Sequence, residues 1–329
     1  MTRREQQVLD LIRKNALISQ KEIAEHLGIS RSAIAGHVMA LVAKGILKGR
    51  GYVINDEPFI VAIGGANIDI SASPTGKLSM RDSNPGLIDV SPGGVARNIA
   101  ENLARLGNNC CLIAAVGNDQ HADILLHQGE AAGIDMRYVL RFDSAPTPTY
   151  VSVLDDAGDV FVAVNDMAIV EDIRPVLLQK HEKMLHESRV IIADTNLQTE
   201  CLLYIARTCA DKPLFVDTVS AAKAPRILPC LDRIHTLKAS RLEAGALSGM
   251  TSPDNKSLAK IACWLHEKGV ARVLITLGQE GVFYSQDGEQ GIEAVGSASK
   301  EAVNTSGAGD AFLAGVVHAW IKDWSLQKT

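Results

Sequence analysis

Six segments of this chain are nearly continuous runs of apolar residues: FIVAIGG (59–65), CCLIAAVG (110–117), VIIAD (190–194), LFVD (214–217), IHTLKA (234–239) and RVLITLG (272–278). A strand that alternates apolar with polar residues can leave one face in water, but a strand apolar throughout must be covered on both. Helical segments separate these runs, so the pattern predicts an α/β fold: a doubly wound, mostly parallel sheet with helices on each face. With 329 residues, 47% of them hydrophobic, there is material for such a domain and for a smaller one beside it. Other segments break the rhythm. Gly86-Leu87-Ile88-Asp89-Val90, and the pair Thr149–Asp155 and Asp159–Asn165 turning at Asp156-Ala157-Gly158, have strand character with no helix between them. They are expected to form a small β lid, from segments 84–91 and 147–166, over a site.

Residues 1–55 follow a different pattern. Arg4 to Asn15 places Val8, Leu11 and Ile12 on one helical face, and Gln20 to Leu27 does so with Ile23, Ala24 and Leu27 before stopping at Gly28. Ser30 can cap a third helix, Arg31 to Lys44, with Ile34, Val38, Leu41 and Val42 at helical spacing. Gly45 to Ile54 then reads as a small hairpin with basic residues at its tip. This head carries nine Lys and Arg against four Asp and Glu, whereas the remainder carries 24 against 34, so only the head could meet a polyanion. The run KEIAEHLGISRSAIAGHVMALVAKGIL resembles the winged helix-turn-helix module of bacterial regulators. That resemblance implies DNA binding, with Arg31, Ser32 and His37 of the third helix offered to the major groove and Lys48 and Arg50 of the wing meeting phosphates. A helical bundle used for dimerisation, or one without DNA affinity, is the alternative. Asn55-Asp56-Glu57-Pro58 reads as the linker to a second domain spanning 59–329.

Several kinds of chemistry are excluded at the outset. The six cysteines (Cys110, Cys111, Cys201, Cys209, Cys230, Cys263) show no Cys-x-x-Cys pair or regular spacing, and read as free thiols of a reducing cytoplasm. The charged N-terminus lacks the apolar core of an export signal, and no run of about 18 apolar residues suggests a membrane span. G-x-x-x-x-G-K-[ST] is absent, as is Gly-x-Gly-x-x-Gly after the first strand, which sets aside P-loop NTPases and dinucleotide-binding domains. The densest remaining signal is VNTSGAGDAFLAGVV (303–317), a glycine turn opening an apolar helix. Unpaired N–H groups at a helix start stabilise negative charge, and Gly307 and Gly309, with Ala308 between them, let the backbone approach a phosphate. Asp310 stands where that helix begins, able to take a proton from an attacking hydroxyl. By spacing alone, an aspartate that merely caps the helix fits equally well.

This segment resembles the C-terminal signature of the ribokinase-like (PfkB) carbohydrate kinases. Gly93-Gly94-Val95-Ala96-Arg97-Asn98-Ile99-Ala100, followed by Gly107 and Gly117, resembles that family's other signature. The resemblance covers 59–329 and implies an ATP-dependent kinase of a sugar or nucleoside hydroxyl, using Mg²⁺ and a monovalent cation such as K⁺. It implies Asp310 as catalytic base beside Gly307, Ala308 and Gly309, and Asn67, Asp69, Gly93, Gly94 and Asn98 on the substrate, joined by Thr149 and Asn165 from the lid. It also implies Ser240, Thr276, Gly278 and Gly281 at the nucleotide, and Glu243 reaching the metal through water. Within the family, Asp82-Ser83-Asn84-Pro85-Gly86, VNDM (164–167), FVDTVSA (215–221) and IHTLK (234–238) resemble the pseudouridine kinases, which implies the 5′-hydroxyl of pseudouridine as acceptor.

Two departures bear on these expectations. Where the family has Lys-Pro-Asn-x-x-Glu, this chain has Lys238-Ala239-Ser240-Arg241-Leu242-Glu243, so phosphate and Mg²⁺-water contacts are expected to be weaker. Only 19 residues follow Asp310, so the kinase domain is expected to lack the usual C-terminal helices that help wall the adenine pocket. Other readings stay open: a kinase of another sugar such as ribose, a ligand-sensing transcription regulator with a kinase-like body, or both functions in one chain. Helix-turn-helix heads usually act in pairs on palindromic sites, so a homodimer is expected.

Overall fold

The computed structural model describes residues 1–48, 53–54, 58–251, 253–294 and 307–324, and the chain divides into two compact units, Met1–Pro58 and Phe59–Thr329. The first holds three helices, α1 (Arg3–Lys14), α2 (Gln20–Leu27) and α3 (Arg31–Ala43). Thr2 and Ser19 open α1 and α2 with capping boxes closed by Glu5 and Glu22, and Gly28 ends α2 in the left-handed conformation. The Ser30 hydroxyl accepts from the Ala33 amide at 3.2 Å and starts α3, as the sequence predicts. Val8, Ile12, Ile23, Ile34 and Leu41 are fully buried between the helices, and Lys44 pairs with Glu5 at 2.6 Å across the bundle. A short antiparallel pair, β1 (Leu47–Lys48) and β2 (Val53–Ile54), follows α3. Arg31 and Ser32 are exposed on α3 and His37 is half-buried. Lys48 falls in β1; Arg50, and Asn55, Asp56 and Glu57 of the expected linker, lie outside the described residues.

The second unit begins with β3 (Phe59–Ile63), β4 (Asn67–Pro74), β5 (Gly86–Gly93), α4 (Val95–Arg105), β6 (Asn109–Ile113), β7 (Ala115–Val116) and α5 (Gln120–Ala131). Next come β8 (Ile134–Asp135), β9 (Leu140–Arg141), β10 (Thr149–Leu154), β11 (Val160–Asp166), α6 (Pro175–Gln179), α7 (Glu182–Glu187), β12 (Val190–Asp194), α8 (Thr199–Thr208) and β13 (Leu214–Asp217). It closes with β14 (Thr236–Ser240), α9 (Arg241–Ser248), α10 (Asn255–Glu267), β15 (Arg272–Thr276), β16 (Val282–Gln286), β17 (Glu289–Glu293) and α11 (Ala308–Ile321).

Among the described residues nine strands form the main sheet in the order β17-β16-β15-β14-β13-β12-β3-β6-β8, parallel from β15 to β8 and antiparallel at the β15-β16-β17 edge. Successive residues of its strands feed opposite cores. Ile60 and Ala62 of β3 pack with Ile99, Leu103, Leu313 and Val317 of α4 and α11, while Val61 and Ile63 pack with the helices of the other face. Burial on both faces is the physical reason these strands are apolar throughout, and it bears out the doubly wound expectation.

The lid is a separate four-stranded sheet in the order β11-β10-β4-β5, with β4 and β10 parallel and the other neighbours antiparallel. The expected strands are there, and β4 is an addition: Asn67–Pro74 is a full strand of the lid rather than the turn after β3. Chain order reverses between β3 and β12, because β6 and β8 lie to one side of β3 and β12 to β15 to the other. In open α/β sheets the crevice beyond the carboxyl ends of such a pair is where ligands bind. Among the described residues no helix is long and apolar enough to cross a membrane.

Candidate active site

The crevice between β3 and β12 is held by one carboxylate. Asp194, fully buried at the end of β12, accepts from the Gly65 and Ala96 amides at 2.9 Å with Oδ2, and from the Asn196 amide at 2.8 Å with Oδ1. It ties the loop after β3 to the start of α4, a helix whose own N-cap, Gly94, has no side chain to offer. Burial pushes its carboxyl up to about 6, against the pull of these amides. Gly94 adopts φ 98, and a Cβ there would lie 2.5 Å from Ala66 Cα, so only glycine lets α4 enter this close.

The residues expected on the substrate gather on this frame. Asn67 and Asp69 open β4, and the Asn67 amide donates to Asp69 Oδ1 at 2.6 Å. Gly93 faces Asp69 so closely that a side chain there would run into the carboxylate. Burial raises the Asp69 carboxyl, partly offset by Asn67 and the Arg97 charge. One turn into α4, the Asn98 amide donates to Asp310 Oδ2 at 2.9 Å. Its carbonyl in turn accepts from Arg97, which also donates to Pro92 O of β5 and pairs with Glu101. Asp69, Pro92, Asn98, Glu101, Gly307 and Ala308 border a cleft of ≈ 450 Å³.

Gly307 opens α11 in the left-handed conformation (φ 78), and Asp310 follows in the first turn, 8% exposed. Burial pushes the Asp310 carboxyl up to about 6, with Asp217 and Asp194 adding to the rise and Asn98 and Lys238 opposing it. Lys238 stands directly beneath the turn: its Nζ lies 2.9 Å from Asp217 Oδ2, and a Cβ on Gly309 would be 2.6 Å from that Nζ. Burial alone would lower the ammonium's pKa; Asp217 beside it, with Glu243 and Asp310 further off, raises it instead. The site thus joins an exchangeable proton on Asp310, amides at a helix start and a buried cation, which together suit transfer of an anionic group to a hydroxyl. Asn304, Thr305 and Ser306, which precede this turn, lie outside the described residues.

Of the residues expected at the nucleotide, Ser240 and Thr276 are register partners at the carboxyl ends of β14 and β15. Ser240 caps α9: its hydroxyl accepts from the Glu243 amide at 3.3 Å, and Glu243 Oε2 accepts from the Ser240 amide at 2.7 Å and from Thr218 Oγ1 at 2.6 Å. The Thr276 hydroxyl leans on Ala239 O at 3.4 Å. Gly278 opens a short turn at φ 63, while Gly281 is demanded by its packing on Glu293 O of β17. Among the described residues no cluster of three or more His, Cys, Asp or Glu is placed to cage a metal.

Of the lid residues, Thr149 is not brought to the cleft. Strand alternation puts it on the face opposite Asp69, where its hydroxyl meets Thr147 O at 3.1 Å and His121 Nδ1 at 3.4 Å. Asn165 shares the face of Asp69 but borders a second cavity. Sequence reasoning missed Asp194, Asp217 and Lys238. The available signal was a charged residue at the end of, or inside, an otherwise apolar strand (VIIAD, LFVD, IHTLKA).

Comparison with known proteins agrees with this fold. Residues 57–329 match the family model described as pfkB family carbohydrate kinase, and residues 1–48 match one described as winged helix-turn-helix DNA-binding. The chain is 40% identical over 269 residues to the pseudouridine kinase of Escherichia coli (strain K12), covering 82% of this chain and 85% of that protein. It is 36% identical over 330 residues to an uncharacterized sugar kinase of the same organism, covering 99% of this chain and 90% of the relative. A carbohydrate kinase from Agrobacterium tumefaciens superposes with a TM-score of 0.70 at 28% identity, covering 82% of this chain and 85% of the other. Arabidopsis thaliana ribokinase complexed with ribose and ATP superposes with a TM-score of 0.75 at 20% identity, covering 83% and 88%, a likeness of fold alone. With the kinase match running from residue 57 to 329 over a ribokinase-like sheet, the chain belongs to the pfkB family of carbohydrate kinases and is a sugar or nucleoside kinase.

Proposed function

We propose that this chain transfers a phosphoryl group from MgATP to a hydroxyl of a nucleoside, the 5′-hydroxyl of pseudouridine, with Asp310 as general base. The observation that carries the reading is the Asn98–Asp310 hydrogen bond: it joins the two glycine signatures across one cleft that Asp69 also borders. Asp69, already fixed by Asn67, accepts hydrogen bonds from the sugar hydroxyls. Asn98 engages Oδ2 of Asp310, which leaves Oδ1 to take the proton of the attacking hydroxyl. A carboxyl at about 6 is ionised at neutral pH yet basic enough to accept that proton. Backbone amides of Gly307, Ala308 and Gly309, with Lys238 below them, hold the charge that develops on the transferred group. Pseudouridine is favoured over other acceptors by the 40% identity to a pseudouridine kinase.

The residues present fit a nucleotide at the carboxyl ends of β14 and β15, where Ser240 and Thr276 stand side by side. Glu243 Oε2 is already engaged twice by protein donors, which suits a metal carried on the phosphates and touched through water. Mg²⁺ there would supply charge neutralisation. The winged helix-turn-helix unit adds a second role, operator binding governed by the nucleoside or its phosphate. An uncharacterized sugar kinase aligns over 99% of this chain, the winged helix-turn-helix residues included, which supports the reading. A homodimer in the cytoplasm completes the reading.

The base is tested by steady-state phosphorylation of pseudouridine, uridine and ribose with wild type and Asp310→Asn. Loss of about 10²–10⁴ in kcat, with KM for the acceptor nearly unchanged, is expected. An Asp310→Asn enzyme that turns over normally, or a wild type inert toward every acceptor, would overturn the assignment.

A further inference from the structure

We propose that Arg97 is a positioning residue: it fixes which end of the Asn98 amide faces Asp310 and the glycine turn, and so keeps a donor, never an acceptor, against the negative charges of the reaction. This rests on the reading of Asp310 as base. An amide side chain has two ends of nearly equal size and opposite polarity, a carbonyl oxygen and an NH2 group. Turned one way, Asn98 donates to Asp310 Oδ2 at 2.9 Å, and the same nitrogen would lie 3.9 Å from a Cβ on Gly307. Turned the other way, it would set a carbonyl oxygen against the carboxylate and against the turn where the transferred group gathers charge.

Asp310 alone does not choose between these orientations while it holds a proton, because a protonated carboxyl donates as well as it accepts. Arg97 does choose. A guanidinium has five N–H donors and no acceptor, so what it touches must be an oxygen. Its Nη1 donates to Asn98 Oδ1 and to Pro92 O, each at 3.2 Å, and its Nη2 pairs with Glu101 one turn along α4. The Pro92 carbonyl belongs to β5, where that residue pairs with Ile68 of β4 and borders the cleft. The Asn98 amide is thus referred to the helix it stands on and to a strand of the lid.

The setting of Arg97 argues for a role beyond packing. It is 5% exposed, and among the described residues its Nε–H finds no partner. Burial lowers its pKa, with Arg105 adding to the fall and Glu101 and Asp69 opposing it. A buried guanidinium with an unmet donor is costly, and an apolar side chain of similar volume would fill the space without that cost. Nor is Arg97 needed to hold Glu101, whose other oxygen pairs with Arg105. The charges that face Asp310 come from other elements: Asp217 of β13, Asp194 of β12 and Lys238 of β14. Arg97 therefore reaches the base through the Asn98 amide that lies between them.

The pH profile of kcat/KM for pseudouridine tests this on the full chain. Wild type is expected to lose activity as pH falls through about 6, where Asp310 takes up its proton. Arg97→Gln carries an acceptor as well as donors and so admits both amide orientations. Its acid limb is expected to move up by about one pH unit, a loss of about tenfold at pH 5 and little at pH 8. Arg97→Lys, again a donor alone, is expected to keep the wild-type limb, and with Ala at position 98 the Arg97→Gln change is expected to move nothing further. Arg97→Met, which fills the space and offers no hydrogen bond, carries the test if Arg97→Gln does not fold. A limb that stays in place in both variants, as a merely structural role would leave it, overturns the proposal. So does a limb that moves equally with Ala at position 98, as the bare field of the lost charge would move it. Should wild type turn over no acceptor, the base reading fails, and urea midpoints still decide this one. The stability that Asp310→Asn gains over its parent is expected to level off about one pH unit higher in the Arg97→Gln background, and equal pH dependences in the two backgrounds sink the inference.

Discussion

Asp310 must be ionised to act as a base, yet it sits where ionisation is costly. Its carboxyl binds a proton more tightly in the folded chain, at about 6, than at its ordinary 3.8. A carboxyl raised in this way stabilises the fold while protonated. That contribution is full below about pH 4 and is lost as pH rises through about 6. At neutral pH the loss amounts to about 3 kcal/mol. Asp310→Asn keeps an oxygen for the Asn98 amide and removes the charge, so it is expected to be inactive and ~2–3 kcal/mol more stable at pH 7.5, with the gain shrinking toward pH 4.5. Denaturant midpoints at the two pH values check this; a variant less stable than wild type at pH 7.5 contradicts it. Asp310 was singled out in the sequence because it follows a glycine turn that opens a helix, and Asp69 through the family resemblance alone. Asp194 was not, since VIIAD reads as a strand that simply ends, and only the fold shows three amides converging on its carboxylate.

Helix α9 shows how one element serves two ends. Ser240 satisfies its first turn through the capping box with Glu243, which is why a serine is tolerated where the family carries asparagine. Asparagine is an equally good cap, so Ser240→Asn is expected to leave stability within about 0.5 kcal/mol of wild type while lowering KM for ATP severalfold through the restored amide. Ser240→Ala is expected to cost about 1 kcal/mol. Melting curves and ATP titrations separate the two effects; an unchanged KM in Ser240→Asn would show that the amide contributes nothing there. Elements were legible in proportion to how completely they are buried. The interior strands announce themselves by apolar runs, whereas β4, β16 and β17 are mixed in composition because one face or edge meets solvent. Thr149 shows the limit of such reading. It lies in the expected strand, but its side is fixed by its pairing with Ile68, and a shift of one residue would have exchanged its face with that of Tyr150.

At the scale of the whole chain, the basic head and acidic body predict a separation of functions. A chain beginning at Phe59 has its own two cores and is expected to phosphorylate like the full protein while losing DNA retention. Retention by the full chain is expected to fall steeply with salt and to change on adding pseudouridine or its 5′-phosphate. Gel shifts across a salt series check this, and salt-independent retention would exclude phosphate contacts as its source. The partition was legible because charge and hydrophobic period both change near residue 58. The site itself was not legible at this scale, because its contacts are among the longest in the molecule. The Gly65 amide and its Asp194 acceptor are 129 residues apart, and Asn98 and Asp310 are 212 apart. Closing loops of that length costs chain entropy before any contact compensates it. Every described strand of the main sheet precedes the glycine turn in the chain, so during synthesis the sheet and the Asp194 clasp are available before Asp310 arrives to complete the cleft.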